Sequence, residues 1–444
     1  MNVDLADEEH FVQSDQLCAR CRGTKNLCGR ERCPVVVKYY HRMDSKSMVD
    51  DKDISGSSPP GVFVGRYGYP KVDVGPLVPP FHGDTTELDM PELWVGKDID
   101  DIVENRTQLV RGKHSIRVDK FDERDKIVDL TQQMALSKDP AEVEAFFKKK
   151  PGGKIQVSDS VQPYGPSGPL DGLDLGTIKF DNRLDKAFFD TDLKATNAVL
   201  NMYDKDVYLS KIQRAFSVGA FGMEENRKFV PTRWSITAVD DTIGKNLREE
   251  IKDYRPIDEY RVYETWELDN RWEILMLPRT WIYELVEAWY PETAWNPYGD
   301  DIAIISSHER YEGRSDYAEI GGCFYAARLA IAEKLSREKR QAGAVILRET
   351  HPGYIMPVGV WNVREHVRDA LKREPKTFDS LKDALFHLST RLEIKIDTWK
   401  KYSEVLRDSL FQTRLSDFVI EDGNKEDDDM EEKDFEFGDD RHWN

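Results

Sequence analysis

The stretch Glu259-Tyr-Arg-Val-Tyr-Glu-Thr-Trp-Glu-Leu-Asp-Asn-Arg-Trp-Glu-Ile-Leu-Met-Leu277 reads as two runs about a turn. Tyr260, Val262, Glu264, Trp266 and Leu268 recur at a spacing of two and share one face of an extended chain. Asp269-Asn270 supplies turn residues, and Arg271–Leu277 returns on the other side. That pattern predicts a β-hairpin. Around it, helical patterns and short apolar runs alternate without a regular βαβ rhythm and without an internal repeat. The expected fold class is therefore α+β, an irregular mixed α/β body.

Working outward, Phe229–Asp240 reads as a loop entering a buried strand. Asp241–Tyr254 then reads as a helix with Asp240 or Asp241 at its N-cap. Downstream, Thr280–Trp289 reads as an aromatic-rich helix, and Ile302–Ser306 and Ala344–Leu347 as buried strands. Tyr317–Ala342 reads as a long helix broken or preceded by Gly321-Gly322. Asn362–Leu371 follows as a helix, and Leu381–Leu410 as one or two amphipathic helices. Upstream, Gly61–Pro70 is a short apolar strand entering a glycine-rich turn, and Ser115–Val118 is a strand. Ile99–Gln108, Asp125–Leu136, Pro140–Phe147 and Lys186–Asp204 carry helical patterns, with Asp139 a plausible cap for the third. Residues 151–172 hold nine Gly or Pro, which suggests a boundary or a long loop. The expected division is an acidic segment 1–17, a cysteine module 18–42, an N-terminal domain 43–150 and a Gly/Pro-rich linker or loop 151–176. A C-terminal α+β domain 177–411, a short peptide 412–419 and an acidic tail 420–444 complete it.

The chain has 444 residues, ten tryptophans, 39% hydrophobic residues and a formal net charge of −19. Length and composition are consistent with two to three domains and a sizeable core. Met1–Gln16 is acidic and polar, unlike a signal peptide, and nowhere do eighteen apolar residues run together. A cytoplasmic protein without a membrane span is expected. The acidity is uneven: residues 421–440 contain twelve Asp or Glu against Lys425 and Lys433. Such a block does not fold alone. It either solvates the terminus or competes with nucleic acid for a basic surface.

Four of the five cysteines, Cys18, Cys21, Cys28 and Cys33, fall within sixteen residues. Cys-x2-Cys followed by two more thiols suits a tetrahedral Zn²⁺ site, and a reducing compartment favours metal over two disulfides. The same module carries Arg20, Arg22, Arg30 and Arg32 in an otherwise acidic chain. These arginines either contact phosphate or offset the charge of a four-thiolate site. Arg66, inside the Gly61–Gly68 turn, and Arg233, five residues after Lys228, are further candidates for gripping a nucleic-acid phosphate. Neither a P-loop nor a dinucleotide fingerprint accompanies the glycines, so a tight turn alone would also account for them. Asp240 and Asp241, and Glu309 and Glu349 beside His308 and His351, are weak candidates for metal or acid–base chemistry. Ordinary helix capping and ion pairing are the competing explanations. Cys323, beside Gly321-Gly322, is either an activated thiol or a small buried side chain.

Gln412-Thr-Arg-Leu415-Ser-Asp-Phe418-Val419 has the Gln-x-x-aliphatic-x-x-aromatic pattern of peptides that dock on the sliding clamp PCNA. Leu415 and Phe418 lie three apart and would fill one apolar pocket from a single helical turn, with Gln412 and Val419 flanking them. Together with the cysteine module, this chain resembles the archaeal Nre family of DNA repair proteins over nearly its whole length. Further marks are Ser58-Pro-Pro-Gly-Val-Phe-Val-Gly-Arg66, Tyr69-Pro70, Val230–Asp241, Lys339–Ala342 and Pro357–Trp361. The resemblance implies a role in DNA damage repair through PCNA, with zinc at the four cysteines, and leaves open whether any bond is made or broken. A metal-dependent nucleic-acid enzyme and an RNA-binding or RNA-modification factor are the alternatives.

Overall fold

The computed structural model describes residues 18–411, except 19, 22–24, 26, 29–31, 48, 50, 120–124, 153–161 and 298. The segment 1–17, the peptide 412–419 and the tail 420–444 lie outside the described residues. Helix α1 (Pro34–Ser47) follows Cys33 and leads into a six-stranded sheet. Its strands are β1 (Asp53–Ser58), β2 (Val62–Val64), β3 (Lys71–Val78), β4 (Val110–Arg117), β5 (Ala141–Phe147) and β6 (Ser167–Leu175). They lie in the order β1-β5-β6-β4-β3-β2, antiparallel except for β4 with β6. Helices α2 (Ile99–Thr107) and α3 (Lys126–Ala135) interrupt the sheet, and carboxylates start both. Asp98 accepts the N–H of Asp101, and Asp125 accepts those of Ile127 and Val128.

Three short helices follow: α4 (Asn182–Phe189), α5 (Ala195–Tyr203) and α6 (Leu209–Ser217). The long helix α7 (Thr232–Ile251) comes next. The second sheet is built from β7 (Tyr260–Glu267), β8 (Asn270–Leu277), β9 (Ile282–Trp289), β10 (Ala303–Glu309), β11 (Gly343–Thr350) and β12 (Lys376–Phe378). Its order is β10-β9-β11-β8-β7-β12, antiparallel except for β9 with β11. Helix α8 (Gly322–Glu338) separates β10 from β11. Helices α9 (Trp361–Ala370), α10 (Leu381–Arg391), α11 (Ile396–Tyr402) and α12 (Glu404–Phe411) complete the order. The described residues thus form a mixed fold of two predominantly antiparallel sheets with helices, in agreement with the expected α+β class.

The hairpin forms as expected, with its turn one residue earlier. Leu268 (φ 50°) and Asp269 (φ 54°) are the two left-handed loop residues, which matches the twist of paired strands. Asn270 begins the return strand instead of turning. Its amide donates to the Leu268 carbonyl at 2.7 Å, and its side-chain oxygen accepts from Arg348 and Thr350.

Three expectations are overturned. Ala141–Phe147 is a strand, not a helix: Ala141, Val143, Ala145 and Phe147 are buried while Glu142 and Glu144 face out. Ile282–Trp289 is also a strand, not an aromatic helix, and every residue in it is buried. The second sheet explains that burial, because both its faces are covered. Tyr263, Trp272, Ile274, Tyr283 and Ile346 join the main core with α7 and α8, whereas Val262, Leu275, Val345 and Leu347 pack with Leu385, Leu388, Trp399 and Leu406 of α10 to α12. Lastly, Thr232–Asp240 is the first half of α7 rather than a strand. Ser235, Val239, Ile243, Leu247 and Ile251 recur every fourth residue and are all buried. That stripe, not the β-branched content of the first turns, sets the conformation.

Other boundaries shift less. The Lys186–Asp204 pattern divides into α4 and α5 at Asp190, and the C-terminal region forms three helices. β10 is an edge strand and only partly buried along its first half. The last part of the Gly/Pro-rich segment 151–176 is β6, which sits inside the first sheet between β5 and β4. A single apolar core runs from Val49 through both sheets to Leu371.

Candidate functional site

Strand β2 ends the first sheet, and the chain then leaves it through Gly65 and a turn in which Gly68 has φ 81°. The Lys71 N–H closes that turn on the Gly68 carbonyl at 2.9 Å, and the Tyr69-Pro70 peptide is cis. Arg66, Tyr67, Tyr69 and Pro70 are all exposed. The N-terminus of α7 lies beside this turn, 168 positions away in sequence. The Val64 N–H donates to the Thr232 hydroxyl at 2.9 Å. The Tyr69 and Trp234 rings meet with centroids 5.3 Å apart, tilted by 55°. Backbone bonds extend the junction: Val118 N–H to the Pro70 carbonyl at 2.9 Å, and Phe229 N–H to the Val118 carbonyl at 3.0 Å. Lys228, exposed like Arg233, immediately precedes Phe229 at this junction.

Two more segments abut this helix end. A methyl group at Gly322 would lie 3.3 Å from the Thr237 hydroxyl and 2.9 Å from Val360, so α8 and the loop before α9 approach α7 where only glycine leaves room. Tyr317, 55% exposed, stands here in the field of Arg233. Cys323 is not activated: burial pushes its thiol up to about 12, Glu287 adds to this, and Arg348 and Arg233 oppose it only in part. At neutral pH it is a neutral thiol.

The four expected carboxylates do not gather at one site; only Asp241 and Glu309 meet, through Arg328. Asp240 is fully buried in α7, where Arg364 grips both its oxygens at 2.9 and 3.1 Å and Gln213 donates at 2.9 Å. It is not a helix cap. Asp241 pairs with Arg328 at 2.5 Å and Lys245 at 2.7 Å. Glu309, within β10, takes Arg328 at 2.9 Å and the indole N–H of Trp281 at 3.0 Å. Glu349 points to the opposite face of the sheet and accepts the backbone N–H groups of Glu393 and Ile394. Arg328 is thus what brings Asp241 and Glu309 together. Each carboxylate is occupied in holding elements in place, and sequence reasoning had no means of seeing these long-range partners.

Of the cysteines, Cys21 is buried and Cys18, Cys28 and Cys33 are half-buried. Thiol donors at this spacing match zinc chemistry. Among the described residues, however, no group of three or more His, Cys, Asp or Glu side chains is gathered so as to hold a metal ion. Arg20 is exposed, Arg22 and Arg30 lie outside the described residues, and Arg32 is paired with Asp100, which also takes His41 at 3.2 Å. Arg32 therefore ties the base of α1 to α2. Among the described residues, no helix is long and apolar enough to cross a membrane.

The arrangement is that of a mixed α/β protein with a cationic and aromatic surface where the β2–β3 turn meets α7. Residues 27–296 match the family described as Archaeal Nre, N-terminal, and residues 309–418 match Archaeal Nre, C-terminal. The chain belongs to the archaeal Nre family. It is 39% identical over 391 residues to the DNA repair protein NreB of Archaeoglobus fulgidus, covering 88% of this chain and 97% of that one. It is 38% identical to NreA of the same organism, over 85% and 94% of the two chains. To NreA of Haloferax volcanii it is 31% identical, over 84% and 90%. No solved structure matches.

Proposed function

We propose that this protein acts in DNA repair, holding DNA at the cationic and aromatic surface around Arg66 and Arg233 and docking on the PCNA clamp through residues 412–419. The three relatives above are DNA repair proteins by name, and likeness over most of each chain supports the same role here. The observation that carries the DNA contact is that Arg66, Lys228 and Arg233 are exposed at one place with no carboxylate partner among the described residues. In a chain of net charge −19, that is a local anion-binding surface. The C-terminal family match reaches residue 418, through the Gln412, Leu415 and Phe418 pattern.

Calorimetry of the full chain against PCNA from the same source tests the docking. Binding is expected, and the Gln412→Ala/Phe418→Ala variant is expected to lose it, because the pattern places its affinity in two or three side chains. An unmodified chain that fails to bind an intact clamp would remove PCNA from the proposal.

The same reading assigns Cys18, Cys21, Cys28 and Cys33 to one structural Zn²⁺. Its role would be to bind the N-terminal module's loops together, since so short a segment has little core of its own. Elemental analysis of the purified chain is expected to find about one zinc per molecule. Cys18→Ser/Cys21→Ser should release it and lower the thermal stability of the module. Metal-free protein with unchanged protease resistance at 18–47 would rule the assignment out.

A further inference from the structure

Four large aromatic side chains surround the junction of the β2–β3 turn with α7. Tyr67 is 81% exposed, Tyr317 55%, Tyr69 48% and Trp234 45%. Exposed rings also occur elsewhere, at Phe189, Phe386 and Tyr208; what sets these four apart is that they gather at one junction. These four are interleaved with Arg66, whose guanidinium lies 5.1 Å from the Tyr67 ring centre, and with Arg233 and Lys228. Several exposed arginines elsewhere have carboxylate partners: Arg117 takes Asp119, Arg310 takes Asp408, Arg373 takes Asp369 and Arg391 takes Glu264. Among the described residues, Arg66 and Arg233 have none.

Both halves of the surface are firmly held. The turn is pinned by the Gly65 N–H to the Asp73 carbonyl at 2.7 Å and by the Val64–Thr232 bond. Trp234 and Arg233 stand on the first turn of a twenty-residue helix whose inner face is in the core. The aromatic faces are thus presented by rigid elements, and little ordering accompanies binding.

Duplex DNA hides its base faces, so a duplex would use the cations and leave the rings idle. An unpaired strand uses both: bases stack on aromatic rings, and phosphates pair with the cations between them. On the reading that this surface contacts DNA, we infer that its ligand is single-stranded DNA, with successive bases stacked on Tyr69, Trp234 and Tyr67 and the intervening phosphates held by Arg66, Arg233 and Lys228.

The test is fluorescence anisotropy of the full chain with a labelled dT20 strand, the same length of duplex, and rU20, all at one salt concentration. The single DNA strand is expected to bind tightest. Trp234→Ala and Tyr69→Ala should each weaken it on the order of ten-fold, while duplex affinity changes little. Trp234→Phe, which keeps a ring, should restore most of the loss. Arg66→Ala/Arg233→Ala should lower the logarithmic salt slope by about 1.4, since each phosphate neutralised on a single strand contributes roughly 0.7. These side chains are exposed, so the variants should melt like the parent, and the melt is recorded beside each titration. Equal affinity for duplex, or no loss in Trp234→Ala, would overturn the single-strand assignment while leaving DNA contact by the arginines standing. Tighter binding of rU20 would overturn the choice of DNA. No binding of any nucleic acid would overturn the DNA contact itself, independently of the clamp calorimetry.

Discussion

Replacing Asp240 by alanine is expected to lower the unfolding free energy by about 3–5 kcal/mol, a large part of the roughly 5–15 kcal/mol that holds an ordinary protein folded. Asp240 and Arg364 are 0% and 1% exposed on the side chain, and one guanidinium nitrogen donates to both carboxylate oxygens, at 2.9 and 3.1 Å. Removing the carboxylate would leave the guanidinium buried with Glu365 at 3.0 Å as its remaining carboxylate partner. It would also remove the acceptor of the Gln213 amide and open a small void between α7 and α9. Asp240→Asn should cost less, because it keeps the side-chain volume and its one oxygen can still accept from both Gln213 and Arg364. Asp240→Leu/Arg364→Met should recover much of the loss, since an apolar pair of similar volume carries no desolvation penalty. Urea titration followed by far-ultraviolet circular dichroism reads all three. A stable Asp240→Ala chain with altered nucleic-acid chemistry would return Asp240 to the list of catalytic candidates. The geometry points the other way: Asp240→Ala/Asp241→Ala should be strongly destabilised, so a loss of activity would say nothing about metal binding unless the variant is shown to be folded.

The Glu273→Gln variant is expected to be more stable than the parent, and increasingly so as the pH rises from about 5 to about 8.5. Glu273 is fully buried in β8, both its oxygens lack a hydrogen-bond partner, and the Arg271 guanidinium is no nearer than 3.6 Å. Burial, reinforced by Glu264 directly across the strand pair, pushes its carboxyl up to about 8. An acid whose folded pKa is raised holds a proton in the folded state that the unfolded chain has already lost. The penalty is absent below the unfolded value near 4.5, grows as the pH rises, and is complete above about 8. Each unit corresponds to about 1.4 kcal/mol. Relaxation of the site and the attraction of Arg271 reduce the full figure, so a gain of about 1–3 kcal/mol at pH 8.5 is expected, with near equality at pH 4.5. Denaturation midpoints at the two pH values decide it. A variant less stable than the parent at pH 8.5 would mean that Arg271 holds Glu273 as an anion.

Both variants sit where sequence and tertiary structure disagree most. Asp240 reads as a cap because it stands before an amphipathic run. Only the burial of Val239 and Ile243 on either side of it shows that the helix has already made two turns. Glu309 and Glu349 read as strand-end acids, yet each is spent on a distant element: an arginine of α8 in one case, and the backbone before α11 in the other. The surface arginines were easier to find. Arg66 and Arg233 belong to short segments of unusual composition, and the structure adds what sequence could not, that Tyr69 and Trp234 touch.

What this sequence determined by itself was local. Alternation of two made the β7–β8 hairpin, Asp98 and Asp125 started their helices, and four thiols in sixteen residues marked the N-terminal module. Each of those signals lies within a few residues, where backbone conformation and near-neighbour hydrogen bonds act. Strand β9 and helix α7 were decided elsewhere. Ile282–Trp289 is apolar enough for either conformation and extends because β10 and β11 supply its hydrogen bonds and helices cover both its faces. Thr232–Asp240 is helical because one stripe of it enters a core whose members run from Val49 to Leu371. Such choices rest on burial and on pairing of charges across the fold, and no window of sequence contains the partners that settle them.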